Sequence, residues 1–217
     1  MKKSFLRIWM FFIFFAAFSS SILASVVLSE LEDSCNNKIS ESCFDLGNMY
    51  FKGSDVDKNH GKALKYFTKA CSKGHAEGCF KRGYMYSEGI GVEKEYSKAL
   101  ESNRRSCFFS YPKGCLIAGR MYKHRENAKK NGAKALELFT KGCHLGNSEA
   151  CYEVGLMHHY AKSVKPDFLK AAFYYKDACN NGVPVACINL GLVYGGGFGV
   201  KRNIDKAIAL YIKACDE

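Results

Sequence analysis

Proline occurs only three times in the 217 residues, and no apolar run reaches the roughly 18 to 20 residues a membrane-spanning helix needs. With 47% hydrophobic and 24% charged residues, that composition excludes a disordered tail and a multispanning membrane protein. There is no Cys-x-x-Cys of the kind that catalytic dithiols use. There is no Lys-Thr-Gly either, because Thr68 and Thr140 are the only threonines and each precedes a lysine. Acidic residues are in deficit, 21 against 32 basic ones, for a formal net charge of +11. What remains is a chain able to bury a core, with 11 cysteines, an odd number.

The first 24 residues read as a leader outside the fold. Lys2, Lys3 and Arg7 form a basic stretch, Ile8 to Phe18 an apolar run of 11 residues, and small residues follow at Ser19 to Ser21, Ala24 and Ser25. Cleavage is expected after Ala24, with an uncleaved anchor as the alternative. No cysteine near the cut offers a lipid attachment point. Export implies a secreted or periplasmic protein without stable membrane insertion, in an oxidising compartment where thiols pair.

The cysteines stand at positions 35, 43, 71, 79, 107, 115, 143, 151, 179, 187 and 215, so intervals of 8 and 28 alternate throughout with a period of 36. Four residues after the second cysteine of each close pair comes a glycine, Gly47, Gly83, Gly119, Gly155 or Gly191. Eight residues before the next cysteine comes an alanine, Ala63, Ala99, Ala135, Ala171 or Ala207. A 36-residue period with two apolar blocks reads as a helix–turn–helix unit that must stack on its neighbours to bury its apolar faces. In the second helix, Ala63, Phe67, Ala70 and Cys71 fall on one stripe; in the first, Cys43, Leu46, Gly47 and Tyr50 do. A glycine inside a helix costs about 1 kcal/mol against alanine, so its return in every repeat points to helices too close for a side chain. Gly89, Gly91, Pro166 and Gly195 to Gly199 mark the turns, and Val27, Leu28 and Leu31 resemble half a repeat acting as an N-terminal cap.

Segments such as Gly191 to Ala214 and Gly83 to Val92 resemble Sel-one-like repeats, relatives of the tetratricopeptide repeats. The paired cysteines in strict register resemble the Helicobacter cysteine-rich proteins, secreted solenoids of epsilonproteobacteria. The likeness runs over about residues 26 to 215, and departs where Lys123 to Gly132 and His159 to Asp167 lack the Gly-x-Gly-Val turn. The resemblance implies an all-α fold, a right-handed α/α solenoid of about five disulfide-stapled 36-residue helix–turn–helix repeats. The expected organisation is a leader at 1–24, a capping helix and link at 25–42, and a solenoid at 43–217 with repeats 43–78, 79–114, 115–150, 151–186 and 187–217.

An interval of eight is too wide for a zinc knuckle, so disulfides are the expected chemistry and neither a metal nor a cofactor is expected. Pairing across the short links joins Cys35–Cys43, Cys71–Cys79, Cys107–Cys115, Cys143–Cys151 and Cys179–Cys187 and leaves Cys215 free. Pairing across each hairpin, Cys43–Cys71 onward, leaves Cys35 over instead, so parity does not decide. The brevity of links such as Ser72 to Gly78 favours the first scheme, and the resemblance implies the same choice. The 36-residue clock asks for a cysteine at 223, beyond Glu217. An unpaired Cys215 is therefore expected as an accessible thiol or as the bridge of a dimer, the end of the chain being lost or covered by another molecule.

The resemblance also implies penicillin binding and weak hydrolysis, a β-lactamase activity, but the residues supply no machinery for it. One Ser-x-x-Lys exists, Ser110 to Lys113, where roughly two are expected by chance from 18 serines and 25 lysines, and it lies in a link. The adjacent His158 and His159 point about 100° apart on a helix, and His158 takes the repeat's tyrosine position. Glu93 and Glu95 flank Lys94 in a loop and read as solvated. The enzymatic reading therefore rests on resemblance alone.

A binding surface is better supported. Offsets of two, five and nine residues after the first-helix cysteine share one helix face. They read Asp45, Asn48, Lys52; Lys81, Tyr84, Glu88; Ile117, Arg120, His124; Glu153, Leu156, Tyr160; and Asn189, Leu192, Gly196. These vary while the packing positions stay fixed, as a groove displayed on a common frame would. By resemblance the first-helix face takes peptides, so the expected binding residues are Asp45, Asn48, Lys81, Tyr84, Arg120, Glu153 and Asn189. The expected partners are a peptide, a peptidoglycan fragment or a protein, the last including a host target. Export argues against nucleic acid, and recurring lysines such as Lys62, Lys134 and Lys206 read as a coat on the outer helices. Trypsin digestion without reduction is expected to yield fragments in which Cys71 is joined to Cys79 and Cys143 to Cys151. Fragments joining Cys43 to Cys71 would favour the hairpin scheme.

Overall fold

The structure is a computed structural model that describes residues 25–124, 128–160 and 166–216, without the side chains of 128–130. The expected leader at 1–24 and parts of the two segments lacking the Gly-x-Gly-Val turn lie outside the described residues. Eleven helices and no strand occur among the described residues. Residues 25–36 form α1, followed by α2 (Ser40–Lys52), α3 (His60–Ser72), α4 (Ala76–Glu88), α5 (Tyr96–Phe108) and α6 (Pro112–Lys123). Then come α7 (Ala128–His144), α8 (Ser148–Tyr160), α9 (Phe168–Asn180), α10 (Pro184–Gly196) and α11 (Ile204–Asp216). Two compact units divide them, Met1–Lys94 and Glu95–Glu217. In the first, α3 packs on α2 and on α4; in the second, each helix from α5 to α11 packs on the next.

Local chemistry sets where the helices start. Three second helices, α3, α9 and α11, begin on polar caps: Asn59, Asp167 and Asn203 accept hydrogen bonds from the backbone N–H of Lys62, Lys170 and Lys206 at 2.8 to 2.9 Å. Among first helices, α4 and α8 are capped by His75 and Asn147, while α6 and α10 carry Pro112 and Pro184 in the first turn, where a missing N–H leaves no helical bond unmade.

The link from each second helix to the next first helix turns on one residue per period, Lys38, Gly74, Ser110, Gly146 and Gly182, with φ between 66° and 87°. That left-handed conformation reverses the chain sharply enough to bring the cysteines on either side of the link together. All five pairs are disulfides, Cys35–Cys43, Cys71–Cys79, Cys107–Cys115, Cys143–Cys151 and Cys179–Cys187, with Cα atoms 4.4 to 4.7 Å apart. Cys215 is an exposed free thiol. Small residues line each junction: Ser42, Gly78, Gly114, Ala150 and Ala186 precede the second cysteines and are buried. A Cβ on Gly114 would stand 2.5 Å from that of Ser106, and one on Gly78 would stand 2.8 Å from that of Ala70.

The repeated first-helix glycine meets an aromatic ring from its hairpin partner. Phe67, Phe139, Tyr175 and Tyr211 lie over Gly47, Gly119, Gly155 and Gly191, where an added Cβ would reach within 2.5 Å of a ring carbon. Around these contacts the first unit buries Leu46, Tyr50, Ala63, Phe67 and Met85, and the second buries Leu116, Phe139, Val154, Tyr175 and Val193. Overpacking this contact costs roughly 1 to 3 kcal/mol, against about 1 kcal/mol gained from alanine's helix propensity. Gly119→Ala is therefore expected to lower urea-unfolding stability by up to about 2 kcal/mol, and adding Phe139→Leu should recover part of that loss. Gly61→Ala, at an exposed α3 position with room for a methyl group, should be neutral or stabilising by up to about 1 kcal/mol in the same assay.

Candidate interaction faces on the first helices

In the first unit, α2 and α4 carry the expected binding residues Asp45, Asn48, Lys81 and Tyr84; Asp45 and Tyr84 are exposed, Asn48 and Lys81 partly buried. His75 organises the edge of this face. Its Nδ1 accepts from the Gly78 N–H at 2.9 Å, which leaves the proton on Nε2 to be donated to Glu41 Oε2, also at 2.9 Å. The ring stacks on Phe44, with centroids 4.2 Å apart. Burial raises the Asp45 carboxyl above its ordinary pKa; nearby Glu41 adds to this and His75 opposes it.

In the second unit, α6, α8 and α10 present Arg120, Glu153 and Asn189, and the structure joins the first two directly. Arg120 donates through Nε to Glu153 Oε1 at 3.0 Å and through Nη2 to Glu149 Oε2 at 2.9 Å. Lys123 donates to the other Glu153 oxygen at 2.7 Å. Two cations thus balance two carboxylates around Glu153, whose side chain is only 9% exposed. Asn189, also buried, donates to the Tyr152 hydroxyl at 3.0 Å. Burial raises the Tyr152 hydroxyl above the ordinary tyrosine range, and Glu153 pushes the same way against the opposing Asn189 bond. Glu149, Lys123 and Tyr152 were not singled out from the sequence, although Glu149 stands four residues before Glu153 and Lys123 three after Arg120, the spacings that share a helix face.

On the same set of helices Tyr160 of α8 and Leu192 and Ile188 of α10 are exposed, at 58%, 48% and 43%. His158 lies parallel to Tyr174 with centroids 6.2 Å apart, and His159 meets Phe168 edge-on at 5.3 Å. Burial lowers both histidine pKa values; Lys170 lowers that of His158 further while Asp167 opposes, so both rings are neutral packing groups at neutral pH. Ser110 is the left-handed link residue after α5 and is exposed. Among the described residues, one group has metal-ligating types in reach of each other, Cys143, Cys151 and Asp177, and its two sulfurs are bonded to one another. No described helix is long and apolar enough to cross a membrane.

The Sel1 repeat model matches residues 40–75, 76–101, 112–147, 148–183 and 184–217. A protective antigen of uropathogenic Escherichia coli displaying an SLR fold is 25% identical, with a TM-score of 0.81 over 87% of this chain and 41% of that one. The chain thus spans about two fifths of that antigen's length. A Sel1 repeat protein from Oxalobacter formigenes is 22% identical, with a TM-score of 0.76 over 88% of this chain and 84% of that one. Cysteine rich protein B of Helicobacter pylori is 27% identical over 59% of this chain and 92% of that one, at a TM-score of 0.46. No curated protein matches the sequence.

The ion-pair geometry separates two adjacent carboxylates. Glu153→Gln leaves Arg120 and Lys123 facing a neutral, poorly solvated amide and is expected to lower stability by about 1 to 3 kcal/mol. Glu149→Gln removes a contact whose carboxylate side is 57% exposed and should change stability by less than about 1 kcal/mol. Paired thermal or urea melts at low and moderate salt check the difference; equal losses would contradict the burial asymmetry.

Proposed function

Because the chain belongs to the Sel1 repeat family, whose scaffolds generally mediate protein–protein interaction, we propose that it is an extracytoplasmic adaptor that holds a peptide or protein segment on its first-helix faces. One observation carries this reading: in the second unit the varying first-helix residues Arg120 and Glu153, from neighbouring repeats, are joined by a hydrogen-bonded ion pair. Asn189 is bonded separately, to Tyr152, and Tyr160 and Leu192 on the same set of helices are exposed. A pre-set ion pair with exposed anchors lowers the ordering cost of binding. Five buried disulfides support an oxidising compartment, the periplasm or the exterior.

In this reading Arg120 acts as a pre-aligned fork. Glu153 orients it from below, and the more exposed Glu149 is the group that a ligand carboxylate would replace. A peptidoglycan stem peptide carries such carboxylates, and so does a protein segment.

The test is retention of muropeptides and of extracytoplasmic proteins on the immobilised full chain, repeated with Asn48→Ala, Tyr160→Ala and Leu192→Ala. Each substitution is expected to reduce retention at least about threefold, the size of a modest interface contact, with melting curves unchanged. Full retention by all three variants would mean that partners bind elsewhere.

A further inference from the structure

A cavity of about 390 Å³ opens between α5 and α7, both second helices, in the second unit. Arg104, Arg105 and Phe108 line it from α5, and Lys134, Leu138 and Lys141 from α7. None of these positions belongs to the first-helix faces, so a role for the cavity is independent of the adaptor reading. Phe108 is 73% exposed, more than any other large apolar side chain among the described residues. Its ring meets Phe109 edge-on at 5.2 Å and lies 5.9 Å from the Lys141 ammonium, which also donates to the Phe108 carbonyl at 3.3 Å. The Lys134 ammonium lies 5.7 Å from the ring centre of Tyr122.

Charge balance distinguishes this cavity from the first-helix network. There, Arg120 and Lys123 are neutralised by Glu149 and Glu153. Here, leaving aside Arg105, which is engaged elsewhere, the wall sets the carboxylates of Glu101 and Glu137 against the three cations Arg104, Lys134 and Lys141. Glu101 approaches Arg104 only to 3.9 Å, with both side chains more than half exposed, an arrangement that contributes little. Neither Lys134 nor Lys141 enters an ion pair among the described residues. The surplus positive charge is thus concentrated beside an exposed aromatic ring.

We propose that this cavity docks an acidic peptide segment of a partner protein, with its carboxylates on Arg104, Lys134 and Lys141 and an apolar side chain on Phe108 and Leu138. Two features select this ligand class. Arginine and lysine around an open cavity recruit carboxylates, while the bare phenylalanine ring and Leu138 offer apolar area that a polyphosphate or sulfated glycan has nothing to place upon. The lysine ammonium groups lying over aromatic rings are held close to the apolar contact, so one segment can reach both.

The experiment is fluorescence anisotropy on the full chain with four labelled probes: a peptide alternating glutamate and leucine, its glutamine–leucine counterpart, an all-glutamate peptide, and polyphosphate. The glutamate–leucine peptide is expected to bind tightest and to weaken as salt rises from about 50 to 300 mM. Lys134→Gln with Lys141→Gln should weaken it at least tenfold and Phe108→Ala at least threefold. If the double variant unfolds, the same loss of at least threefold is expected from Lys134→Gln alone, at an exposed position. Equal binding of the glutamine–leucine peptide, or indifference to the lysine substitutions, would overturn the proposal. Polyphosphate or all-glutamate peptide binding as tightly, with Phe108→Ala without effect, would reduce the cavity to a general anion surface and also overturn it, as would failure of every probe to bind.

Discussion

Each repeat depends on one junction, where a cysteine ending a second helix is bonded to a cysteine in the first turn of the next. At Cα separations of 4.4 to 4.7 Å the two helix ends can approach only if nothing bulky stands between them, and Ser42, Gly78, Gly114, Ala150 and Ala186 meet that condition. The chain must also reverse within the link, which is why one residue per period takes a left-handed conformation even where it is Lys38 or Ser110. Closing a loop this short removes roughly 2 to 3 kcal/mol of unfolded-state entropy. Five such closures are comparable to the whole net stability of an ordinary domain, about 5 to 15 kcal/mol. The frame therefore tolerates costly features elsewhere, such as the buried Glu153 and the exposed Phe108.

With helix ends tied, packing within the hairpins α2–α3, α6–α7, α8–α9 and α10–α11 centres on an aromatic ring over a glycine. The ring supplies the buried area and the glycine lets it approach the backbone. These packing residues recur in fixed register while the first-helix offsets two, five and nine residues after the cysteine vary. In the second unit Arg120, Lys123, Glu149 and Glu153 are themselves ion-paired across α6 and α8, so first-helix residues there also contribute to stability.

The two kinds of surface differ in how they carry charge. The first-helix network is internally neutral and stiff, suited to orienting a ligand. The α5–α7 cavity keeps its cations beside an exposed ring, suited to attracting one. Asp177 shows how a single substitution within the repeat redirects a contact. At the equivalent positions Lys69, Lys141 and Lys213 reach back to Asn36, the Phe108 carbonyl and Asn180, whereas the Asp177 carboxylate lies 3.1 Å from the Cys151 sulfur.

Much of this was legible in the sequence because it repeats. The 36-residue register of cysteine, glycine and alanine determined the helical hairpins, the stacked apolar stripes and the close approach at each first-helix glycine, since a period can arise only from one local structure used again. Disulfide connectivity was favoured by the brevity of the links but not fixed by it, because parity permits two schemes and the distance between helix ends separates them. Nor were the rings that cover Gly47, Gly119, Gly155 and Gly191, or the turn residue concealed by lysine and serine in two of five links. The least legible feature was the state of the functional side chains. Arg120 and Glu153 read as two displayed charges and fold into one neutral pair, while Lys134 and Lys141 read as a solvated coat and fold around a cavity. Charge and exposure are properties of what stands opposite a residue, and what stands opposite comes from another repeat, so tertiary structure alone decided them.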